Sequence, residues 1–103
     1  MGGACAALIA IVPAHAGSEA IGQVYWVNGS CAVTGQPVSV TMNSGPAGVR
    51  LSLKRGKVTA RRQNCGVVAG AYVIASGSGS GSISYTVSYS NGQSSNHTAN
   101  FGR

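Results

Sequence analysis

Acidic side chains are almost missing from these 103 residues: Glu19 is the only one, against seven lysines and arginines. One carboxylate cannot supply the paired Asp/Glu groups of general acid–base chemistry within a single chain. Charge of either sign is scarce, at 8% of residues, where about a quarter is ordinary. Metal-ligand spacing is missing as well. There is no CxxC, and His97 stands far along the chain from every cysteine. A cupredoxin-like copper site needs a free Cys and two His, but the other His is His15, near the start. Serines abound, yet there is no GxSxG elbow and no acid to orient His97. Together these absences predict no enzyme, no cofactor and no metal.

The chain has room for one small domain. Its 16 glycines and many serines, with little Glu, Lys or Leu, disfavour helices. Short runs of Val, Thr, Tyr and Ser favour strands. At the start, Ala4–Val12 is an apolar run of signal-peptide length, too short to span a bilayer as a helix. Ala14-His15-Ala16 places small residues where a signal peptidase reads. Residues 1–16 are therefore expected to be an export signal cleaved before Gly17, leaving a single domain, 17–103, that is secreted or periplasmic. The n-region carries no Lys or Arg, and the competing reading is a buried first strand or short helix. Removing the signal takes Cys5 with it and leaves Cys31 and Cys65, an even pair that implies one disulfide in an exported domain. Two buried free thiols are the alternative for a cytoplasmic protein.

Along the mature chain, Gln23–Val27 is a strand candidate ended by the turn dipeptide Asn28-Gly29, and Cys31–Val33 is a short second strand. Val38, Val40 and Met42 alternate with Ser39 and Thr41. The run Ala71–Ala75 is another strand, and Ile83, Tyr85, Val87 and Tyr89 alternate with Ser84, Thr86 and Ser88. Asn91-Gly92 turns the chain into a last strand, Asn96–Phe101. The Ser-Gly run Ser76–Ser82 is expected to be a mobile loop between strands. Six to eight short strands with frequent turns predict an all-β fold, a small antiparallel sandwich or barrel.

Six of the seven basic residues fall in Val49–Arg62, VRLSLKRGKVTARR. Val49, Leu51 and Leu53 alternate with Arg50 and Lys54; beyond Arg55-Gly56, Val58 and Ala60 alternate with Lys57 and Arg61. This pattern predicts a β-hairpin turning at Arg55-Gly56, because Gly56 accepts the positive φ of such turns. Lys54 is then opposite Lys57 and Arg50 opposite Arg61, with all four on the face away from the apolar residues. Like charges opposed across a ladder are mildly destabilising, so their concentration points to an anionic partner. Arg50, Lys54, Arg55, Lys57, Arg61 and Arg62 are the candidate anion-binding residues. The opposing reading is a solvated edge whose cations block strand-to-strand aggregation.

The order RGKV (55–58), GAYVIA (70–75), GSGSISYTVSYSNGQ (79–93) and NHTANF (96–101) resembles bacterial Ig-like, cadherin-like domains. Gly56-Lys57-Val58, Tyr72, Gly81, Tyr85, Val87 and Asn91-Gly92 take the places of that pattern over roughly the second half of the mature chain. The resemblance implies an Ig-like β-sandwich used outside the cell, with no catalytic residue. The acidic residue usual ahead of the aromatic is replaced by the Ser-Gly run, so no calcium site is carried over.

Trp26 beside Tyr25, and Tyr85 with Tyr89, form either a sugar-stacking platform or part of the core. His97 is expected to be an ordinary strand residue titrating near neutral pH. Asn28-Gly-Ser and Asn96-His-Thr fit glycosylation sequons, relevant only in a eukaryotic secretory pathway. The expectation is a non-catalytic binding or structural module meeting an anionic polysaccharide, lipopolysaccharide or protein partner through the basic hairpin. Nucleic acid is not expected, since no nucleic-acid motif appears. The alternative is a subunit of a filament or surface assembly that pairs strand edges between copies.

Overall fold

The computed structural model describes residues 16–102. The expected export signal, residues 1–16, lies outside the described residues except for Ala16. The described chain is all β, with no helix: β1 (Ala16–Val24), β2 (Trp26–Val27), β3 (Val33–Gly35), β4 (Pro37–Ser44), β5 (Val49–Ala60), β6 (Gly66–Ser78), β7 (Gly81–Tyr89) and β8 (Ser94–Phe101). The strands form an antiparallel three-stranded sheet β1-β6-β5, another in the order β4-β7-β8, and the small pair β2-β3. The expected small antiparallel sandwich is what forms.

Period-two patterning explains which faces meet. On β7, Ile83, Tyr85, Val87 and Tyr89 are buried, while Ser84, Thr86 and Ser88 point away. They pack against Val49, Ala71, Val73, Ala75 and Val24 of the facing sheet, with Phe101 of β8 closing the core. Leu51, Leu53, Val40 and Met42 flank it.

The hairpin expected at Arg55-Gly56 does not form. Val49–Ala60 is one continuous strand, paired with β6 from Val49↔Gly77 to Ala60↔Gly66 without a register shift. Gly56 is opposite Gly70 inside the ladder and does not have positive φ. Lys54 is opposite Tyr72, Lys57 opposite Ala69 and Arg50 opposite Ser76, so none of the expected basic pairs exists. The change of apolar parity, from odd positions Val49–Leu53 to even positions Val58 and Ala60, has a different cause. The β5–β6 ribbon runs past the sandwich, and in that tip the opposite face is covered. Val58, Ala60 and Val68 form a second buried cluster there, packed by Tyr25, Val27, Cys65 and Tyr72.

The chain turns instead at Arg61–Asn64. Asn64 takes φ 56°, a left-handed conformation that asparagine tolerates. Cys65 N–H donates to the Ala60 carbonyl at 3.1 Å to close it. Cys65 is disulfide-bonded to Cys31 in the β2–β3 connection, with Cα atoms 5.5 Å apart. The bridge therefore ties the β2–β3 flap to the end of the ribbon that it covers.

Close approach to backbone requires glycine at positions that include Gly70 and Gly77. A Cβ on Gly70 would collide with the Val24 carbonyl and lie 2.8 Å from Val58 Cγ2, so Gly70 lets the chain between β1 and β2 cross the ribbon. Gly77, at φ 130°, lies against the Gly48 carbonyl, leaving no room for a side chain. It belongs to the Ser-Gly run expected to be a loop. Ser76, Gly77 and Ser78 are instead strand residues, paired with β1 and, for Ser76 and Gly77, with β5. Only Gly79 and Ser80 separate β6 from β7. Backbone ladders on both sides hold a sequence whose side chains offer little packing.

Candidate functional site

The continuous strand redistributes the six basic residues. Paired positions share a face, so Arg50 and Lys54 lie on one face of the ribbon, and Arg55 and Lys57 on the other. Arg61 and Arg62 lie in the turn beyond. All six are exposed. Arg55 donates from Nη1 to Gln36 Oε1 at 3.3 Å. A single basic face is thus replaced by three separate groups, of which Arg61 and Arg62 line an open cleft.

That cleft, of about 840 Å³, lies on the flank where β1 and β8 come together. Its floor is the chain from Ala20 to Val27, one wall is Arg61, Arg62 and Gln63, and the other is Tyr89 with Ser95, Asn96 and His97. Period two along β2 and the residue before it positions the aromatics. Trp26 turns toward the main core, its ring 5.1 Å from that of Tyr89. Tyr25 turns toward the tip cluster and donates from its hydroxyl to Gln63 Oε1 at 2.7 Å. This bond ties the arginine turn to the cleft floor. Tyr72, also in the lining, donates to the Lys57 carbonyl at 2.7 Å. Gln23 Oε1 accepts from Thr59 N–H at 3.1 Å.

The two readings of the aromatics therefore divide. Tyr85 and Tyr89 belong to the core, at 2% and 4% exposure. Tyr25 and Trp26 are half-buried and line the cleft. Burial pushes the Tyr85 phenol above its ordinary pKa, with nearby Tyr89 adding to the effect. Burial also raises Tyr89, opposed by its hydrogen bond to Ser95.

On β8, His97 and Ser95 point to the same side of the strand, as i, i+2 residues do. Ser95 Oγ lies 2.7 Å from His97 Nε2 and 2.8 Å from the Tyr89 hydroxyl, making a Tyr–Ser–His chain of hydrogen bonds. The imidazole stacks on Tyr85, with ring centroids 5.2 Å apart and 25° between planes. Burial lowers the His97 pKa from its ordinary value, and the Arg62 charge lowers it further. His97 is therefore harder to protonate than a free imidazole, and it lines the same cleft as Arg62. The sequence pointed to Arg61, Arg62, Tyr25 and Trp26 as candidates but missed Tyr72, Gln63, Ser95 and Asn96. Their one legible signal is the Ser95/His97 alternation on β8.

No group of His, Cys, Asp and Glu suited to a metal ion occurs among the described residues. Among them, no helix is long and apolar enough to cross a membrane. The fold and the cleft define a small, disulfide-linked antiparallel β-sandwich with an arginine–aromatic cleft on one flank. No protein-family model, curated protein or solved structure matches the chain.

Proposed function

We propose that this chain is an exported, non-catalytic binding module of Ig-like type whose partner is an anionic glycan, taken at the flank cleft. The observation that carries the reading is the joining of Arg61 and Arg62 to Tyr25, Trp26 and Tyr72 around one concavity. Guanidinium groups bind carboxylate and sulfate in a fork geometry, and aromatic faces stack on sugar rings. No carboxylate side chain lines the cleft to compete for the arginines. The disulfide supports an oxidising compartment. The strand order supports the Ig-like assignment: β1-β6-β5 over β4-β7-β8 is the order of strands B-E-D over C-F-G in that fold. The position of the disulfide is a departure from antibody domains, since it pins a flap to a tip instead of joining strands B and F.

Heparin retention measured against salt tests the reading. Arg61→Ser/Arg62→Ser is expected to weaken binding by tenfold or more, about 1.4 kcal/mol, and Arg50→Ser/Lys54→Ser to change it little. Equal loss in both double variants would mean diffuse charge attraction and no cleft site.

A second reading, assembly through strand edges, is favoured by one observation. Edge strands β4 and β8 contain no Lys, Arg, Asp or Glu, so nothing charged guards them. In the Ig arrangement the β1/β8 flank is also where strand A runs. Under this reading, size exclusion shows concentration-dependent oligomers. A monomer at all concentrations removes it.

A further inference from the structure

The cleft contains one group that the glycan reading does not use. His97 is half-buried on the wall facing the arginine turn, backed by the Tyr85 ring and held through Ser95 to Tyr89. We propose that His97 is a third, proton-dependent anion ligand of the cleft, so that the bound sulfate or carboxylate group is gripped by Arg62 and a protonated imidazole together. The inference rests on the anionic-glycan reading and adds a residue and a proton to it.

Cationic and neutral groups surround the imidazole. Arg62 approaches across the cleft and Arg61 precedes it in the same turn. From β7 come the phenols of Tyr85 and Tyr89, and from the cleft floor that of Tyr25. Glu19, the only acidic side chain, is on β1 opposite Ala75 and does not line the cleft. Among the described residues, then, a proton on His97 faces positive charge and neutral hydroxyls and meets no carboxylate. An anion between Arg62 and His97 supplies the missing negative charge. It favours the protonated imidazole as strongly as the proton favours the anion, because the coupling is reciprocal. Ser95 suits both states: its hydroxyl accepts from a protonated Nε2 and donates to a neutral one. Asn96, between these two residues in sequence, points to the opposite face of β8, where its Oδ1 accepts from the Thr86 hydroxyl at 2.8 Å.

The consequence is a site that tightens in acid. Each unit by which bound anion raises the His97 pKa strengthens binding by up to tenfold at low pH. Heparin is a suitable probe, since its sulfates and carboxylates stay ionised across the histidine range. NMR titration of the His97 imidazole in the intact protein, with and without heparin, reads the proton directly. Isothermal titration at about pH 7.5 and about pH 5.5 reads affinity and proton uptake. The expected result is a His97 pKa raised by about one unit or more, severalfold tighter binding in acid, and loss of that pH dependence in His97→Gln. Heparin binding with an unmoved His97 pKa overturns the inference and leaves the glycan reading standing. Absence of heparin binding at either pH overturns both. The wild-type titration decides the question even if His97→Gln fails to fold.

Discussion

The two halves of the β5–β6 ribbon are built from the same ladder but held by different forces. In the sandwich half, Val49, Ala71, Val73 and Ala75 face a complete second sheet and share a core with Ile83, Tyr85, Val87 and Phe101. In the tip half, Val58, Ala60 and Val68 on the opposite face are covered only by a two-stranded flap, with Tyr25, Val27, Cys65 and Tyr72 packed on them. The sandwich half is stabilised by apolar burial, which scales with area. A flap so small buries little, and the Cys31–Cys65 bridge makes up the deficit by limiting the freedom of the unfolded chain. The cleft lies where the two regimes meet: the tip supplies Arg61 and Arg62, and the sandwich supplies Tyr89 and His97.

The largest expected effect comes from the sandwich half. Phe101→Ala is expected to cost about 3–5 kcal/mol, seen as a lower midpoint in urea with the whole domain affected. Next is the bridge. Cys31→Ser/Cys65→Ser is expected to cost about 3–4 kcal/mol on chain-entropy grounds, with hydrogen exchange accelerating first at Thr59–Val68 and least on β7. Uniform acceleration would show that tip and sandwich are one cooperative unit. A smaller, sharper contrast deletes the same atoms from each half. Val58→Ala is expected to cost about 1.5 kcal/mol of lost transfer energy, and Val73→Ala more. Val73 is enclosed by two sheets and leaves a cavity, whereas the flap over Val58 can settle.

The pH dependence separates the halves again. His97 has a lowered pKa in the folded state, so below about pH 6.5 the unfolded chain takes up the proton first and stability falls as pH falls. Tyr85 and Tyr89 have raised pKa values when folded. Their contribution is complete below about pH 10 and is lost as pH rises beyond it, because the unfolded chain ionises first. Thermal melts from acid to alkali are expected to fall at both ends, and His97→Gln is expected to flatten the acid limb alone. The smallest effect is expected from Arg50→Ser/Lys54→Ser, within about 0.5 kcal/mol, since neither residue borders the cleft or the buried clusters.

Much of the fold was legible in residue alternation. The strand from Ile83 to Tyr89 and the expected sandwich both rest on period two, and the observed β7 buries each of those odd positions. The Cys31–Cys65 pairing followed from parity on the expectation that Cys5 belongs to a cleaved export signal, and the bridge is formed. In the basic segment the same signal misled. A parity change at Arg55-Gly56 arises either from a two-residue turn or from a strand whose buried face switches, and the local sequence is identical in the two cases. The choice depends on what covers each face, and the covering residues, Tyr25 and Val27, lie about 30 positions away. Ser76–Ser78 misled for the opposite reason. Its side chains carry no strand preference, yet ladders on both sides fix its backbone.

By itself, then, the sequence determined the β class, the expected disulfide pair, and the absence of a carboxylate pair or a CxxC. These follow from composition and local periodicity, which act through each residue's own chemistry. Only the tertiary structure decided which cations belong together. A strand sends neighbouring side chains to opposite faces, and a continuous ribbon placed Arg50 and Lys54 away from Arg55 and Lys57. It left Arg61 and Arg62 alone beside the aromatics and His97. The cleft is made by contacts between segments distant in the chain, and no run of adjacent residues encodes it.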